Sequence, residues 1–177
     1  MKVAAELCAA LKPVCERLIV AGSLRRRKPT VGDVEILYIG KTEVRQDLAD
    51  MFASITVNLA DEAISALEKS GTLERRKNVN GSEMYGPKNK LMRHRASGLP
   101  VDLFAAAEKT WWVSLVVRTG SKEMNLRLTT GAQRKGATLN AYGSGVTWSD
   151  GTKTDATSER HVFELCGVEY LEPENRT

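Results

Sequence analysis

The chain has 177 residues, with a hydrophobic fraction of 42%, a charged fraction of 27% and a formal net charge of +4. This length suits one domain, or two small lobes that share a site. No apolar run approaches the ~20 residues of a membrane span, and Glu6 and Lys12 make the amphipathic N-terminus a poor signal peptide. Three scattered cysteines, Cys8, Cys15 and Cys166, include no C-x-x-C pair, which argues against a structural zinc site. We therefore expect a cytoplasmic, monomeric protein without a membrane partner.

The first part of the chain is predicted to combine helices and strands. Val3, Leu7 and Leu11 recur at helical spacing, so they form one apolar face. The expected elements are a helix over residues 3–12, a buried strand over residues 33–39, a helix from Asp61 to Lys69 that ends at Gly71, and mostly strands and turns from Leu73 to Phe104.

The second part of the chain, from Lys109 onward, is predicted to be mainly helical. The expected elements are a helix interrupted at Thr119-Gly120-Ser121, a helix from Lys122 to Lys135 closed by Gly136, a polar loop or hairpin from Val146 to Ser158, and a short helix from Glu159 to Cys166 that ends at Gly167. The change in composition near residue 107 predicts two lobes, residues 1–107 and 108–177. Together these elements indicate an α+β fold: a small mixed β-sheet with flanking helices, followed by a small helical and β C-terminal lobe.

An acidic pair lies at the start of the predicted strand over residues 33–39. Asp33 and Glu35 are two residues apart, so alternation places both side chains on one face. Two carboxylates on one face repel each other unless a cation lies between them, and Mg²⁺ prefers such hard oxygen ligands. Asp102, an acid within a strand-like apolar run, needs a partner for the same reason and is the candidate third ligand.

A Gly22-Ser23 turn precedes the acidic pair and suits a phosphate. Gly22 allows the backbone to approach a ligand closely, while backbone N–H groups and the Ser23 hydroxyl can donate to phosphate oxygens. Arg25 and Arg26 add guanidinium groups, which contact phosphates in a bidentate manner. No G-x-x-x-x-G-K-[ST] sequence occurs, so the chain is not a P-loop protein.

Basic residues are concentrated on both sides of the acidic pair. Arg25 to Lys28 form an unbroken basic run, and the segment from Glu74 to Arg95 holds seven Lys or Arg and two Glu. This distribution indicates phosphate binding, and the alternative interpretation is a solvated basic face.

These motifs resemble DNA polymerase family X, the superfamily of DNA polymerase beta-like nucleotidyltransferases. Residues 22–37, GSLRRRKPTVGDVEIL, resemble the family motif G-S-x-R-R…G-D-x-D. Residues 101–103 (VDL) look like the strand that carries the third carboxylate, and residues 118–121 (RTGS) with Asn125 look like the nucleotide-facing helices. The ordered set, including residues 133–140 (QRKGATLN) and 163–170 (FELCGVEY), covers nearly the whole chain.

The resemblance implies a role for each matching position. The catalytic and metal-binding residues would be Asp33, Glu35 and Asp102, which hold two Mg²⁺ ions or substituting Mn²⁺ ions. The nucleotide-binding residues would be Gly22, Ser23, Arg26 and Gly32 at the phosphates, Thr119 and Gly120 at the sugar, and Asn125 at the base. The residues expected to hold a nucleic-acid backbone are Arg75, Arg76, Lys88, Lys90, Arg93 and Arg95.

The implied function is that of a minimal palm-plus-thumb DNA polymerase. It would transfer a nucleoside monophosphate from a dNTP or NTP to the 3′-hydroxyl of a DNA primer, which suggests DNA repair without lyase activity. The sequence departs from the family pattern at Glu35, where the family usually has Asp, and at Val117-Arg118, where it often has an aromatic pair. Two alternatives stay open: a nucleotidyltransferase that acts on a small molecule or a protein, and a catalytically silent nucleic-acid-binding protein.

Overall fold

The computed structural model describes residues 1–47 and 53–177 and has the predicted α+β architecture. The helices of this described part are α1 (Lys2–Leu11), α2 (Gly22–Arg25), α3 (Leu59–Lys69), α4 (Trp111–Thr119), α5 (Lys122–Arg134) and α6 (Glu159–Leu165). Its strands are β1 (Cys15–Val20), β2 (Val34–Gly40), β3 (Thr42–Gln46), β4 (Ser54–Asn58), β5 (Leu73–Arg75), β6 (Asn89–His94), β7 (Pro100–Ala105), β8 (Ala137–Leu139), β9 (Gly145–Trp148) and β10 (Lys153–Asp155). Short 3₁₀ turns occur at Lys12–Val14, Glu108–Thr110 and Pro173–Asn175.

The described strands form three sheets. The largest has five strands in the order β1-β2-β7-β6-β5, in which β5, β6 and β7 are antiparallel neighbours. A three-stranded sheet has the order β10-β9-β8, and β3 pairs with β4. Within the largest sheet Leu91 of β6 lies opposite Asp102 of β7. Cross-strand partners present their side chains on the same face of the sheet. This register therefore determines which side chains lie next to that of Asp102.

The chain packs as two compact units. The first contains Met1–Ile19 and Tyr38–Ala105, and the second contains Val20–Leu37 and Ala106–Thr177. The segment with α2 and the start of β2 therefore belongs with the C-terminal part of the chain. The predicted lobes, residues 1–107 and 108–177, are continuous segments, and their assignment stays a prediction.

The first unit has a core formed by helices and the central strands. Leu7 and Leu11 of α1, Ile64 of α3, Leu73 of β5 and Met92 of β6 are all fully buried. A side-chain cap starts α3, because the Asn58 side chain accepts hydrogen bonds from the next helical N–H groups. These buried side chains belong to the unit that also contains β7 and Asp102.

The second unit has its own apolar core, which joins the three C-terminal helices to the small sheet. Val116, Leu128, Val146 and Phe163 are among its buried members. Serine side chains cap two of the helices: Ser121 accepts from the N–H of Met124 at α5, and Ser158 accepts from that of His161 at α6. The polar segment between β8 and α6 forms the β9-β10 hairpin, in agreement with the loop or hairpin predicted for residues 146–158.

Most of the predicted elements are confirmed, including the glycines that end three helices. Gly71, Gly136 and Gly167 follow α3, α5 and α6 with φ angles of +78°, +71° and +65°. Glycine adopts this left-handed conformation more readily than other residues do, which agrees with the prediction that these three glycines end helices. The β3-β4 pair was not predicted. In the described residues no helix is both long and apolar enough to cross a lipid bilayer.

Candidate functional site

The Gly22-Ser23 turn forms the first residues of α2, directly after β1. Gly22 is buried and has a φ of +59°. A Cβ atom at this position would collide with the Glu35 carboxylate, so the glycine lets α2 pack closely on β2. This places the predicted phosphate turn beside one member of the predicted acidic pair within the second unit.

Three of the predicted nucleotide-binding residues carry buried polar atoms that lack a partner among the described residues. They are the Ser23 Oγ, the Arg26 Nε and the Asn125 Oδ1. The Asn125 Nδ2, in contrast, donates to the Val117 carbonyl at 2.9 Å, which fixes the orientation of the amide. A buried polar group without a partner is costly, so each of these atoms has hydrogen-bonding capacity that the protein itself does not use.

The end of α4 contacts α2 through the two predicted phosphate-binding arginines. Arg25 Nη1 donates to the Thr119 hydroxyl at 2.7 Å, and Arg26 Nη1 donates to the Thr119 carbonyl. Thr119 is fully buried, so its side chain is a structural contact within the unit. Gly120 ends the helix beside Asn125, whereas a Cβ atom at the exposed Gly32 would meet nothing within 4 Å. The protein itself therefore does not require glycine at position 32.

A second feature of this unit, an ion-pair network, was not predicted from the sequence. Glu159 at the start of α6 accepts from both terminal nitrogens of Arg25 at 2.7 Å and from Arg176 Nη1 at 2.6 Å. Arg176 is fully buried and also donates to the Leu171 carbonyl. Burial alone would raise the pKa of Glu159, but the hydrogen bonds from Arg25 and Arg176 lower it below its ordinary value. No local pattern signals this pairing, because Arg25 and Glu159 are 134 residues apart in sequence.

The acidic pair has the predicted alternation. Val34 and Ile36 of β2 are buried, while Asp33 and Glu35 are both half-buried. The two carboxylates thus point away from the core side of the strand, as the spacing indicated. Asp33 itself lies one residue before β2.

Asp102 lies in β7 of the first unit, and its carboxylate is already paired. Arg76 Nη2 donates to the Asp102 Oδ1, and Arg76 Nε donates to the Met92 carbonyl at 3.1 Å. The exposed fractions of the two side chains are 20% for Arg76 and 15% for Asp102. The guanidinium of Arg76 is thus engaged by Asp102 and by the sheet, and its predicted contact with a nucleic-acid backbone stays a prediction.

A divalent metal is implied by the sequence resemblance, and its proposed ligands have suitable chemistry. Carboxylate oxygens are the donors that Mg²⁺ prefers. However, residues 1–47 and 53–177 contain no group of three or more His, Cys, Asp or Glu side chains arranged to hold a metal ion. Asp33, Glu35 and Asp102 therefore fit magnesium by donor type, and their assembly into one site stays a prediction.

The predicted nucleic-acid-binding set needs one correction, at Lys90. Lys90 is only 3% exposed, and its Nζ donates to Asp61 at 2.7 Å. A buried, paired ammonium group cannot contact a phosphate backbone, so Lys90 is removed from the set. Lys88, Arg93 and Arg95 have exposed positions. Arg75 is exposed as well, and it pairs with Glu68 and covers the ring of Tyr85.

Comparisons with known proteins agree with this architecture. Comparison with solved structures finds Leishmania infantum polymerase beta in a ternary P/T complex, with a TM-score of 0.70, 20% sequence identity, and coverage of 99% of this chain and 73% of that chain. The same polymerase in a ternary gap complex also has a TM-score of 0.70 and 20% identity, with 99% of this chain and 67% of that chain covered. The chain therefore has a family X polymerase-like fold, which confirms the resemblance noted in the sequence at the level of the fold.

The C-terminal part of the chain is assigned more closely. Residues 114–177 match the family described as DNA polymerase beta thumb. This segment starts within α4 and contains α5, the small sheet and α6. Comparison with curated proteins found no significant match. Residues 114–177 are thus similar to a polymerase beta thumb, within a chain that has a polymerase beta-like fold.

Proposed function

We propose that this protein is a metal-dependent nucleotidyltransferase that adds a nucleoside monophosphate from a dNTP or NTP to the 3′-hydroxyl of a nucleic acid. The observation that supports it best is the set of unpartnered buried atoms: Ser23 Oγ, Arg26 Nε and Asn125 Oδ1. A hydroxyl and a guanidinium suit phosphate oxygens, and an amide suits a base or sugar. The polymerase beta-like fold and the thumb match over residues 114–177 support the proposal at the level of the fold.

The proposed roles follow from the chemistry of each residue. Ser23 and Arg26, with the backbone of Gly22, hold the triphosphate, where their donors stabilise the charge that develops on the leaving phosphate. Asn125 orients the nucleotide. Asp33, Glu35 and Asp102 would hold the divalent ions, and Asp102 would also accept the hydroxyl proton. When bound, these ions supply stabilisation of the attacking and leaving oxygens of an in-line displacement.

The partners that we propose are a nucleoside triphosphate and a DNA primer with its template. The solved polymerases of similar fold are described as ternary P/T and gap complexes. We propose that residues 1–107 form the catalytic lobe and residues 108–177 a lobe that closes over the nucleotide. Rate enhancement would come mainly from positioning and charge, because the side chains form no covalent intermediate in this chemistry.

A primer-extension assay tests this function. Purified protein is incubated with a labelled primer, with and without template, with each dNTP and NTP, and with Mg²⁺ or Mn²⁺. Asp102→Ala is the control. Template-directed extension that is lost in this variant supports a minimal polymerase, and extension without template supports a terminal transferase. If the protein binds DNA tightly but extends no primer with any metal, it is a silent binding protein. If it neither extends a primer nor binds DNA, the remaining candidate is a nucleotidyltransferase whose acceptor is a small molecule or a protein.

The exposed basic residues of the first unit are expected to supply salt-dependent DNA affinity. Charge reversal of Lys88, Arg93 and Arg95 to glutamate should weaken primer binding and lower the slope of log Kd against log salt by about one for each lost phosphate contact. Fluorescence anisotropy over a salt series measures both quantities.

The control for this experiment reverses three exposed lysines elsewhere, Lys2, Lys12 and Lys153, which removes the same total charge. If both triple variants weaken binding equally, net charge alone explains the affinity. If neither variant changes it, the predicted DNA-binding surface of Lys88, Arg93 and Arg95 is wrong.

A further inference from the structure

The end of α2 has the hydrogen bonds of a common type of helix C-terminus, but an arginine occupies the position that favours glycine. The N–H of Arg27 donates to the Leu24 carbonyl at 3.0 Å. The next N–H, that of Lys28, donates to the Ser23 carbonyl, also at 3.0 Å. The residue that follows the helix cap in this motif is left-handed, a conformation that glycine adopts most readily. Arg27 has a φ of +54° and is the one non-glycine residue with a positive φ in the described part of the chain.

The same motif ends α3 and α6, where the corresponding residue is glycine. The N–H of Gly71 donates to the Glu68 carbonyl, and the N–H of Gly167 donates to the Glu164 carbonyl, both at 3.0 Å. In each case the following N–H donates at 3.0 Å to the carbonyl five residues earlier in the chain. Glycine thus fits this geometry twice in the same protein. A residue with a Cβ atom at position 27 is less favourable for the backbone.

The side chain of Arg27 contributes little to the stability of the fold. It forms an ion pair with Glu174 at a nitrogen–oxygen distance of 3.7 Å, and the exposed fractions of the two side chains are 80% and 41%. Water screens such a pair, so it adds little stability. Arg25 and Arg26, in contrast, are partly buried and donate to Thr119. Neither the backbone nor the packing of the protein therefore accounts for an arginine at position 27.

Arg27 lies beside the groups proposed to hold the nucleotide phosphates. Ser23 Oγ and Arg26 Nε are buried and have no partner among the described residues. Arg27 directly follows Arg26 and is exposed. We propose that Arg27 is a further nucleotide-binding residue, whose guanidinium contacts the outer phosphates of the bound triphosphate and then the pyrophosphate that leaves. This inference rests on the proposed function, because it concerns the substrate of the same site.

The difference in exposure between these side chains determines the order of their contacts. A phosphate chain that is held by the buried atoms of Ser23 and Arg26 meets Arg27 at its solvent-facing end. Guanidinium groups bind phosphate oxygens in a bidentate manner, and a terminal phosphate carries more negative charge than one carboxylate. The phosphate therefore replaces Glu174 as the partner of Arg27. The backbone cost at position 27 is thus retained for binding, as at other sites where strain and function coincide.

The inference requires stability and affinity to change in opposite directions when Arg27 is replaced by glycine. We expect Arg27→Gly to raise Tm by about 2 °C, because relief of the left-handed backbone exceeds the entropy that an added glycine loses on folding. The same variant lacks the guanidinium, so its Kd for a dNTP should rise about fivefold. Arg27→Ala should lose the same affinity without the rise in Tm. Arg27→Lys keeps the charge and should retain most of the affinity.

The experiment uses the full chain and measures binding separately from catalysis. Isothermal calorimetry in Mg²⁺ gives the Kd for a dNTP and for inorganic pyrophosphate, fluorescence anisotropy gives the Kd for a primer–template duplex, and thermal unfolding gives Tm. Lys153→Ala is the charge control, because it removes one exposed positive charge from the same unit and should leave the Kd for the dNTP unchanged. Gly71→Ala is the backbone control. It places a Cβ atom at the left-handed position of the same motif, 3.5 Å from the Arg95 side chain, and should lower Tm.

The inference is supported if Arg27→Gly has a higher Tm but binds the dNTP and pyrophosphate more weakly, and if Arg27→Ala binds them equally weakly. Unchanged dNTP affinity in both variants overturns it, and the proposed function still stands if they extend a primer. Weaker duplex binding with unchanged dNTP affinity also overturns it and makes Arg27 a nucleic-acid contact. If the wild-type protein binds no dNTP, the inference and the proposed function fail together. If the predicted pattern occurs but no variant extends a primer, the inference stands and the proposed function fails.

Discussion

Replacing Asp33 by asparagine is expected to lower the rate of nucleotidyl transfer by about a thousandfold, or about 4 kcal/mol in activation free energy. The change removes one negative charge while keeping the shape of the side chain. A neutral amide is a poorer ligand than a carboxylate for a hard divalent ion. The stability of the fold should change little, because Asp33 is half-buried beside the sheet and not in the core. Single-turnover primer extension at saturating dNTP and Mg²⁺ measures the effect.

The matched control for this substitution is Asp150→Asn. Asp150 is an exposed turn residue in the β9-β10 hairpin, where its side chain accepts hydrogen bonds from Thr152. Its substitution should leave the transfer rate within about twofold, since surface changes away from a site have small effects. An Asp33→Asn protein that retains its Tm and also retains more than a tenth of the wild-type rate would exclude Asp33 as a metal ligand.

Asp33 is a better test position than its neighbour Glu35. The Glu35 side chain fills the space beside Gly22, where the glycine has no Cβ. Shortening Glu35 would therefore change packing between α2 and β2 as well as the charge, and the two effects could not be separated in one rate. The departure from the motif that the sequence resembles thus coincides, at Glu35, with a close structural contact within the second unit.

Local signals explain why so much of the fold could be predicted. The alternation of Asp33, Val34, Glu35 and Ile36 correctly indicated which side chains point to the core, because the period of a strand is two residues. Glycines at positions 71, 136 and 167 correctly indicated helix ends, because each adopts a positive φ. Both kinds of signal depend on residues within a few positions of each other.

Pairs of residues distant in sequence explain what could not be predicted. Arg76 and Asp102 are 26 residues apart, and only the register of β5, β6 and β7 brings them together. No local pattern distinguishes Arg76 from the exposed basic residues near it. Lys90 looked equally available, yet its place in the central sheet buries it against Asp61. A basic run in a sequence therefore overstates the charge that a surface presents.

Replacing Glu159 by glutamine is expected to lower the free energy of unfolding by about 3 kcal/mol, because two guanidinium groups then lose their counter-charge inside the protein. Arg176 is fully buried and Arg25 is mostly buried, so solvent cannot compensate. Urea unfolding at pH 7 measures the difference. The control is Glu164→Gln on the exposed side of the same helix, which should change the free energy by less than about 0.5 kcal/mol.

The dependence on pH gives this prediction a second test. The pKa of Glu159 is lowered in the folded protein from an ordinary value of 4.5. The unfolded chain therefore binds this proton first as pH falls, and the stability contributed by the ionised group is complete above about pH 4.5 and declines below it. Glutamine does not titrate, so the wild-type and Glu159→Gln stabilities should converge in acid. A constant difference from pH 7 to pH 3 would contradict the ionic origin of the effect. Because Arg25 lies on α2 two residues after Ser23, loss of the network should also weaken nucleotide binding, which isothermal calorimetry with a dNTP would detect.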